Sequence, residues 1–409
     1  LIPFEEAQRR IVERLAPLTP RTVALRDARG LVLAEDVVSS EPVPPFANTA
    51  MDGYAVRAAD TSGASAEHPV RLRVVGELAA GHAPSVAVGA GEAIRIMTGA
   101  PVPPGADAIV MVERTTADGD EVNVFVEARL GEHLRDAGGD IVAGDRVFEA
   151  GTVLTPAHLG VLASIDVHEI AVHPRPRVGV LSTGDELVEH GPLSPGQIRD
   201  SNRPMLLAVV EEVGCEAVNY GIAPDDESLI VDAITKAVGE CDVLLTSGAV
   251  SMGDFDYVKT ALERLGAERP SSSYEWLQVA IKPAKPLAFA MLGPTPVFGL
   301  PGNPVSSRVS FELFARPAIR RLMGLAEVFP VPVNARARSA MPRRPDGKTY
   351  LDRVRVGVED GEYVCERAGV QASNVLSGMA AANGLALLPD GDGVDAGAQV
   401  SVLLLGPIA

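Results

Sequence analysis

Val243-Leu244-Leu245-Thr246-Ser247-Gly248-Ala249-Val250-Ser251-Met252-Gly253-Asp254-Phe255-Asp256 changes character twice along its length. Residues 243–245 are a short apolar run, which suits a buried parallel strand. A loop of small residues follows, with two acids at its end. From Asp256 the pattern turns helical: Tyr257, Ala261, Leu262 and Leu265 recur at helical spacing, and Gly266 reads as the stop. A strand, a small-residue loop and a helix start together make an anion site, because bare backbone N–H groups and the helix dipole both favour negative charge. Asp254 and Asp256 would repel an anion unless a cation lies between them. Phosphate, carboxylates and one hard cation such as Mg²⁺ resolve the conflict. Taken alone, the two acids read equally well as a helix N-cap (Asp256) and a turn residue (Asp254).

Working outward, residues 176–325 alternate strands and helices, which predicts a mostly parallel sheet with helices on its faces. Residues 178–181 are a strand followed by Ser182-Thr183-Gly184-Asp185-Glu186. Ser201-Asn202-Arg203-Pro204 caps a helix that runs to about Val213, and Asp225-Asp226 opens another. Residues 289–292 and 297–300 are further strands. The second leads into Pro301-Gly302-Asn303-Pro304-Val305-Ser306, with Asn303 as N-cap and Pro304 in the first turn of a helix. Ligands of open parallel sheets bind at the carboxyl ends of strands, so the three loops should form one pocket. Lys282-Pro283-Ala284-Lys285-Pro286 adds two cations on a stiff segment, suited to phosphate or a tetrahedral oxyanion. Two lysines alone would read as a solvated face; four such segments in one region favour the pocket.

The rest of the chain supplies smaller modules. Residues 3–15 form an amphipathic helix with Phe4, Ala7, Ile11 and Leu15 on one face and Pro3 in the first turn. The proline-rich stretch 41–46 is extended and precedes a boundary. Residues 55–137 read as β, with strands at 70–74, 93–97 and 108–112 and a hairpin turning at Asp118-Gly119-Asp120. Thr155-Pro156 starts a helix. Residues 330–333 read as a linker into a small all-β module.

With 409 residues the chain should hold two to four domains at roughly 100–200 residues each. Lys plus Arg number 36 against 54 Asp plus Glu, a net charge of −18, which argues against general nucleic-acid binding. Cys215, Cys241 and Cys365 have neither zinc spacing nor a disulfide pattern, so a reducing cytoplasm is expected. No apolar run approaches the ~18 residues of a membrane helix, and no signal peptide is visible, although a start at Leu1 leaves the native terminus open. No histidine or cysteine falls in the pocket loops; His158 and His168 read as surface or structural. The dinucleotide fingerprint and the P-loop are both absent, which disfavours hydride transfer and ordinary ATP hydrolysis. Positioning, electrostatics and a metal must carry the chemistry.

The chain resembles the molybdopterin molybdenumtransferases, the molybdenum-insertion enzymes of cofactor biosynthesis, and is similar to the C-terminal domain of gephyrin. The resemblance rests on Asn48-Thr49-Ala50-Met51-Asp52-Gly53-Tyr54-Ala55, Met97-Thr98-Gly99-Ala100-Pro101, Gly139-Asp140-Ile141, Ser182-Thr183-Gly184-Asp185-Glu186-Leu187 and Asp200-Ser201-Asn202. The stretches 247–256, 282–286 and 300–306 complete it. It implies a transferase that takes adenylylated molybdopterin and molybdate as substrates, hydrolyses the adenylate with Mg²⁺, inserts molybdenum and releases AMP. It further implies an α/β multidomain subunit. A three-layer α/β domain with a mostly parallel sheet would span 1–25 and 170–325, and a linking domain 26–43 and 138–169. A β-rich lid domain would span 44–137, and a C-terminal β-barrel 326–409.

A homodimer is implied, with a site shared between subunits that brings Asp52, Thr98 and Asp140 toward Glu186, Asp226 and Asp256 as the catalytic set. Asp185, Glu186 and Asp256 would hold the metal. Thr183, Gly184 and Asp185 would bind the substrate, and Ser247, Gly248, Ser251 and Gly253 would hold its phosphates by backbone N–H groups. Lys282, Lys285, Pro301, Gly302, Asn303, Pro304 and Ser306 would take molybdate and phosphate. A molybdopterin adenylyltransferase and apo-molybdoenzymes are the implied partners, in the cytoplasm, with no nucleic acid and no membrane. The sequence departs from the family at Gly139, where an acid is frequent, and at Ala249 and Ala284, where glycine is common. Two other readings compete. An adenylyltransferase would resemble 170–325 alone, and a gephyrin-like scaffold would need an added partner surface.

Overall fold

The computed structural model describes residues 1–248, 257–268 and 271–408. Its centre is a six-stranded sheet in the order Glu216–Ala223, Arg177–Thr183, Val243–Ser247, Thr295–Leu300, Pro286–Leu292, Ser273–Gln278. The first four strands run parallel. The expected alternation breaks at the fifth: Pro286–Leu292 and Thr295–Leu300 pair antiparallel as a hairpin, and Ser273–Gln278 is antiparallel to its neighbour too. A connection of two residues leaves no room for a crossover helix, so only a hairpin can form there.

Strand side chains alternate between two cores, as period-2 geometry requires. Val178, Val180, Val243, Leu245 and Phe298 face one core together with Leu206 and Val210 of the helix Asn202–Glu212. Leu181, Leu244 and Val297 face the other, with Ile230 and Ile234 of Glu227–Glu240 and Leu262 and Leu265 of Tyr257–Glu268. The chain leaves Arg177–Thr183 in one direction across the sheet and returns past it in the other. Right-handed crossovers then put the successive helices on opposite faces. The reversal lies between Arg177–Thr183 and Val243–Ser247, where a doubly wound sheet opens its ligand crevice.

Three local expectations are corrected. The last of these helices runs through Gly266 to Glu268, because Gly266 keeps helical backbone when its neighbours bury Leu262 and Leu265. Asn303 precedes the helix Pro304–Ser310 but makes no side-chain cap bond. Pro3 sits at the N-cap of Phe4–Val12, one position before the first turn. The helix after Asn303 also widens into a π-turn at Phe311–Ala315, around a buried Glu312 that pairs with Arg308 (2.7 Å) and Arg316 (2.8 Å).

Outside the central sheet, a second six-stranded sheet holds Gly53–Val56, Val70–Leu78, Glu92–Ile96, Ala108–Met111, Thr115–Asp118 and Glu121–Val124. The hairpin at Asp118 forms, with Asp118 opposite Glu121. Residues from both sides of this sheet in the chain, among them Leu31, Leu33, Ile141, Leu154 and Ile170, share one further core. In the C-terminal region Thr349–Glu359, Glu362–Arg367, Val333–Ala337, Gln399–Leu404 and Gly384–Leu388 pair in a ring. The last strand pairs back to the first, making a closed five-strand barrel. Among the described residues no helix is long and apolar enough to cross a membrane.

Candidate active site

The carboxyl ends of the parallel strands carry a cavity of about 460 Å³, lined by Ser182, Glu186, Asn202, Ser247, Gly248, Pro301, Gly302, Asn303, Pro304 and Ser306 among others. The three strand-end loops do converge, and they meet backbone to backbone. Gly248 has φ +129°, and a Cβ there would stand 2.1 Å from the Thr183 carbonyl oxygen. A Cβ on Gly302 would stand 3.2 Å from the Gly248 carbonyl oxygen. Glycine is required at Gly248 because both its dihedral and its neighbour exclude a side chain.

Asn202 staples these loops. Its Nδ2 donates to Ser247 Oγ at 2.8 Å and to the Gly302 carbonyl at 2.7 Å. The sequence places Asn202 at a helix start and in a motif of the resemblance, without a site role; its amide is buried and lines the cavity. Two polar atoms of lining residues, Ser182 Oγ and Asn202 Oδ1, have no hydrogen-bond partner among the described residues, and neither does Thr183 Oγ1 beside Gly248. An unpaired buried polar atom costs about 1–3 kcal/mol, so such a set is expected where a ligand completes it.

The expected acids divide into groups. Glu186 lines the cavity and lies against the α-carbon of Gly184, where a Cβ would meet its carboxylate. Asp185 exchanges bonds with Asp225: the Asp225 N–H donates to Asp185 Oδ1 at 3.1 Å and the Asp185 N–H to Asp225 Oδ2 at 3.4 Å. Asp226 instead caps its helix, accepting from the Leu229 N–H (3.0 Å) and the Ser228 hydroxyl (2.7 Å) on one oxygen. The Ser228 bond, then the Leu229 bond, hold the Asp226 carboxyl below the usual range. Asp225 therefore stands beside Asp185, while its neighbour Asp226 caps the helix. Ser251, Gly253 and Asp256 lie outside the described residues, as do Ala249 and Asp254.

The oxygen donors of Asp185 and Glu186 suit Mg²⁺, which takes one or two carboxylates and completes its shell with water and substrate phosphate. Among the described residues no three His, Cys, Asp or Glu side chains gather as a metal cage. All three cysteines are buried, and burial raises their thiols, that of Cys215 to about 12.

Lys282 and Lys285 line a second pocket of about 520 Å³, which shares Ser306 with the first. Lys348, Gln371, Ser373 and Asn374 line it as well, from the C-terminal region. Lys282 Nζ donates to the Tyr350 hydroxyl (3.2 Å) and lies 4.6 Å over its ring. The hydroxyl in turn donates to Asp346 (3.2 Å), which also accepts from Lys348 Nζ (2.7 Å). Ala284, between the two lysines, has φ +75°, a left-handed conformation that costs an alanine about 1 kcal/mol more than the glycine common there.

Asp52, Thr98 and Asp140 do not line the cavity of the single chain. Asp140 lies in a loop tied to Val43, whose carbonyl accepts the Asp140 N–H at 2.9 Å. Thr98 donates its hydroxyl (2.6 Å) and its N–H (2.7 Å) to one oxygen of Asp52. Those bonds, the hydroxyl first, hold the Asp52 carboxyl below the usual range, with Arg95 adding to the effect. Replacing Thr98 by valine removes the larger contribution, so Asp52 should titrate at higher pH in ¹³C NMR of its carboxyl. The pKa is depressed in the folded state, so the associated stability is present at neutral pH and lost as pH falls through the folded value. In Thr98→Val that pH-dependent stability is smaller and its loss is complete at a higher pH; an unmoved titration would remove the hydroxyl bond from the account.

Residues 2–165 match the family described as the MoeA N-terminal region (domain I and II). Residues 179–321 match a probable molybdopterin binding domain, and 334–405 the MoeA C-terminal region (domain IV). The chain is 41% identical over 400 residues to molybdopterin molybdenumtransferase 2 of Mycobacterium tuberculosis, covering 97% of this chain and 98% of that one. It is 40% identical over 391 residues to the molybdopterin molybdenumtransferase of a Nostoc species, covering 94% and 88%. The crystal structure of the molybdopterin biosynthesis moeA protein from Pyrococcus horikoshii OT3 superimposes with a TM-score of 0.82 at 30% identity, over 99% of this chain and all of that one.

Proposed function

Because the chain belongs to the molybdopterin molybdenumtransferase family, we propose that it inserts molybdenum from molybdate into adenylylated molybdopterin, hydrolysing the adenylate and releasing AMP. Membership carries transferase activity in molybdenum-cofactor biosynthesis and a molybdopterin-type substrate; the individual steps are our reading. The observation that supports them most is that Ser306 joins two unlike pockets, one with unpaired hydroxyl and amide groups, the other with three lysines. A heterocyclic phosphate ester fits the first and a tetrahedral oxyanion the second. The two reactants then meet at one helix N-terminus, where Pro304 and Ser306 sit.

In this reading the backbone N–H groups of Ser247, Gly248, Ser251 and Gly253, with Thr183 and Gly184, hold the substrate's phosphates. Lys282, Lys285 and Ser306, with Lys348 added, hold molybdate, and the Pro301–Pro304 turn closes over it. Magnesium, held by Asp185, Glu186 and Asp256, would neutralise the phosphate charge. Glu186 positions the water that adds to phosphorus as AMP leaves. A homodimer would complete the site by presenting the partner's lid, with Asp52, Thr98 and Asp140, opposite Glu186 and Asp226. The four-part division of the chain, cytoplasmic residence, and exchange with an adenylyltransferase and apo-molybdoenzymes belong to the same proposal.

The test is purified protein with adenylylated molybdopterin and magnesium, with and without molybdate. AMP release should depend on the oxyanion, and the product should activate an apo-molybdoenzyme. Lys285→Ala should raise the molybdate concentration for half-maximal release at least about tenfold, the loss of one desolvated charge contact. Release independent of molybdate, or unchanged in the variant, overturns the assignment of the lysine pocket.

A further inference from the structure

We infer that Asn202 reads the heterocycle of the substrate: its Oδ1 accepts a hydrogen bond from an exocyclic amino group on a ring bound in the cavity. The inference rests on the reading of the cavity as the molybdopterin-adenylate site. The orientation of the Asn202 amide follows from its neighbours. The Gly302 carbonyl can only accept, so the atom 2.7 Å from it must be the nitrogen. The same nitrogen meets Ser247 Oγ at 2.8 Å, which leaves both of its hydrogens used. The oxygen is then the free end, in a residue only 8% exposed that lines the cavity, and it has no partner among the described residues.

That oxygen is an acceptor with nothing to donate. A phosphate or molybdate oxygen placed against it would be repelled, whereas an N–H group would be bound. The floor at Asn202 is therefore a place for a ring edge and not for an oxyanion. Ser182 Oγ, fully buried and also unpaired, lies in the same cavity and can donate to a ring nitrogen or carbonyl beside the amino group. Together they form an acceptor and a donor, the pattern that tells an aminated heterocycle from its desamino analogue. The substrate carries two such groups, one on the pterin and one on the adenine.

The experiment compares matched pairs by calorimetric titration into the full chain: pterin against 4-hydroxypteridine, and AMP against purine riboside monophosphate. In one pair the wild type should prefer the amino compound by about tenfold, the weight of one neutral hydrogen bond. Asn202→Ala should bind the two members of that pair alike. Affinity for both members falls in the variant because the staple to Ser247 and Gly302 is lost as well. A purely structural Asn202 would weaken both equally and keep the preference, so a retained preference overturns the inference. So does a wild type that shows no preference in either pair, a result that needs no variant and leaves the cavity reading standing. Failure of all four compounds to bind the wild type overturns the cavity reading and this inference with it. The pair that responds identifies which ring lies at Asn202.

Discussion

Gly248→Ala is expected to destabilise the protein by about 3 kcal/mol or more and to abolish cofactor synthesis. Two costs combine. The backbone at φ +129° is one that an L-residue rarely adopts, and the added methyl would stand 2.1 Å from the Thr183 carbonyl oxygen. Neither atom can yield cheaply, since Thr183 ends a strand paired on both sides. Gly293 supplies the control. It has φ +64° with nothing within 4 Å of an added Cβ, so Gly293→Ala should cost only about 1 kcal/mol, the left-handed backbone alone. Denaturation midpoints of the two variants separate clash from conformation. Equal losses would mean that the loops do not touch as described.

Glu186→Ala is expected to leave folding unchanged within about 0.5 kcal/mol and to lower oxyanion-dependent AMP release by about 100-fold or more. Its side chain is exposed and makes no cap or ion pair among the described residues, so removing it takes away no structural contact. Asp226→Ala makes the useful comparison. That carboxylate caps a helix, and alanine should cost about 1 kcal/mol of stability. A large activity loss at Asp226 with little loss at Glu186 would reverse the roles assigned to the two acids. Near-normal turnover in Glu186→Ala would withdraw the carboxylate from the reaction.

These contrasts mark where the sequence was legible. The strand 243–245, the loops after 181 and 300 and the helices between them were readable because each is a local pattern. Apolar runs of strand length, glycine and serine at their ends, and apolar residues at helical spacing all have short-range causes. The hairpin 286–300 was harder: its two strands look like any others, and only the length of their connection shows that they must run antiparallel. Among the candidate site residues, Glu186 and Lys285 were legible from their loops, and each lines a pocket in the structure. The different settings of Asp225 and Asp226 were not readable, because adjacent acids at a helix start cannot be told apart by pattern. One becomes the cap and the other turns to Asp185. That Lys348 shares a pocket with Lys282 was not legible, because it lies in a different module and nothing near it in the chain marks it.

The sequence by itself determined that the central region is a mostly parallel sheet with helices on its faces and that its strand-end loops share one edge. Parallel strands joined by helices necessarily place all their outgoing loops on the same side. It also determined which loops those are, since small residues and acids follow the strands there. The tertiary structure alone decided how the loops are held and what they present. The Gly248 contact with Thr183, the Asn202 bonds to Ser247 and Gly302, and the meeting of Lys348 with Lys282 each join residues far apart in the chain. The direction of the Asn202 amide depends on an acceptor a hundred residues away. Side-chain orientation of that kind is set by how separate cores pack against one another, and no local period encodes it.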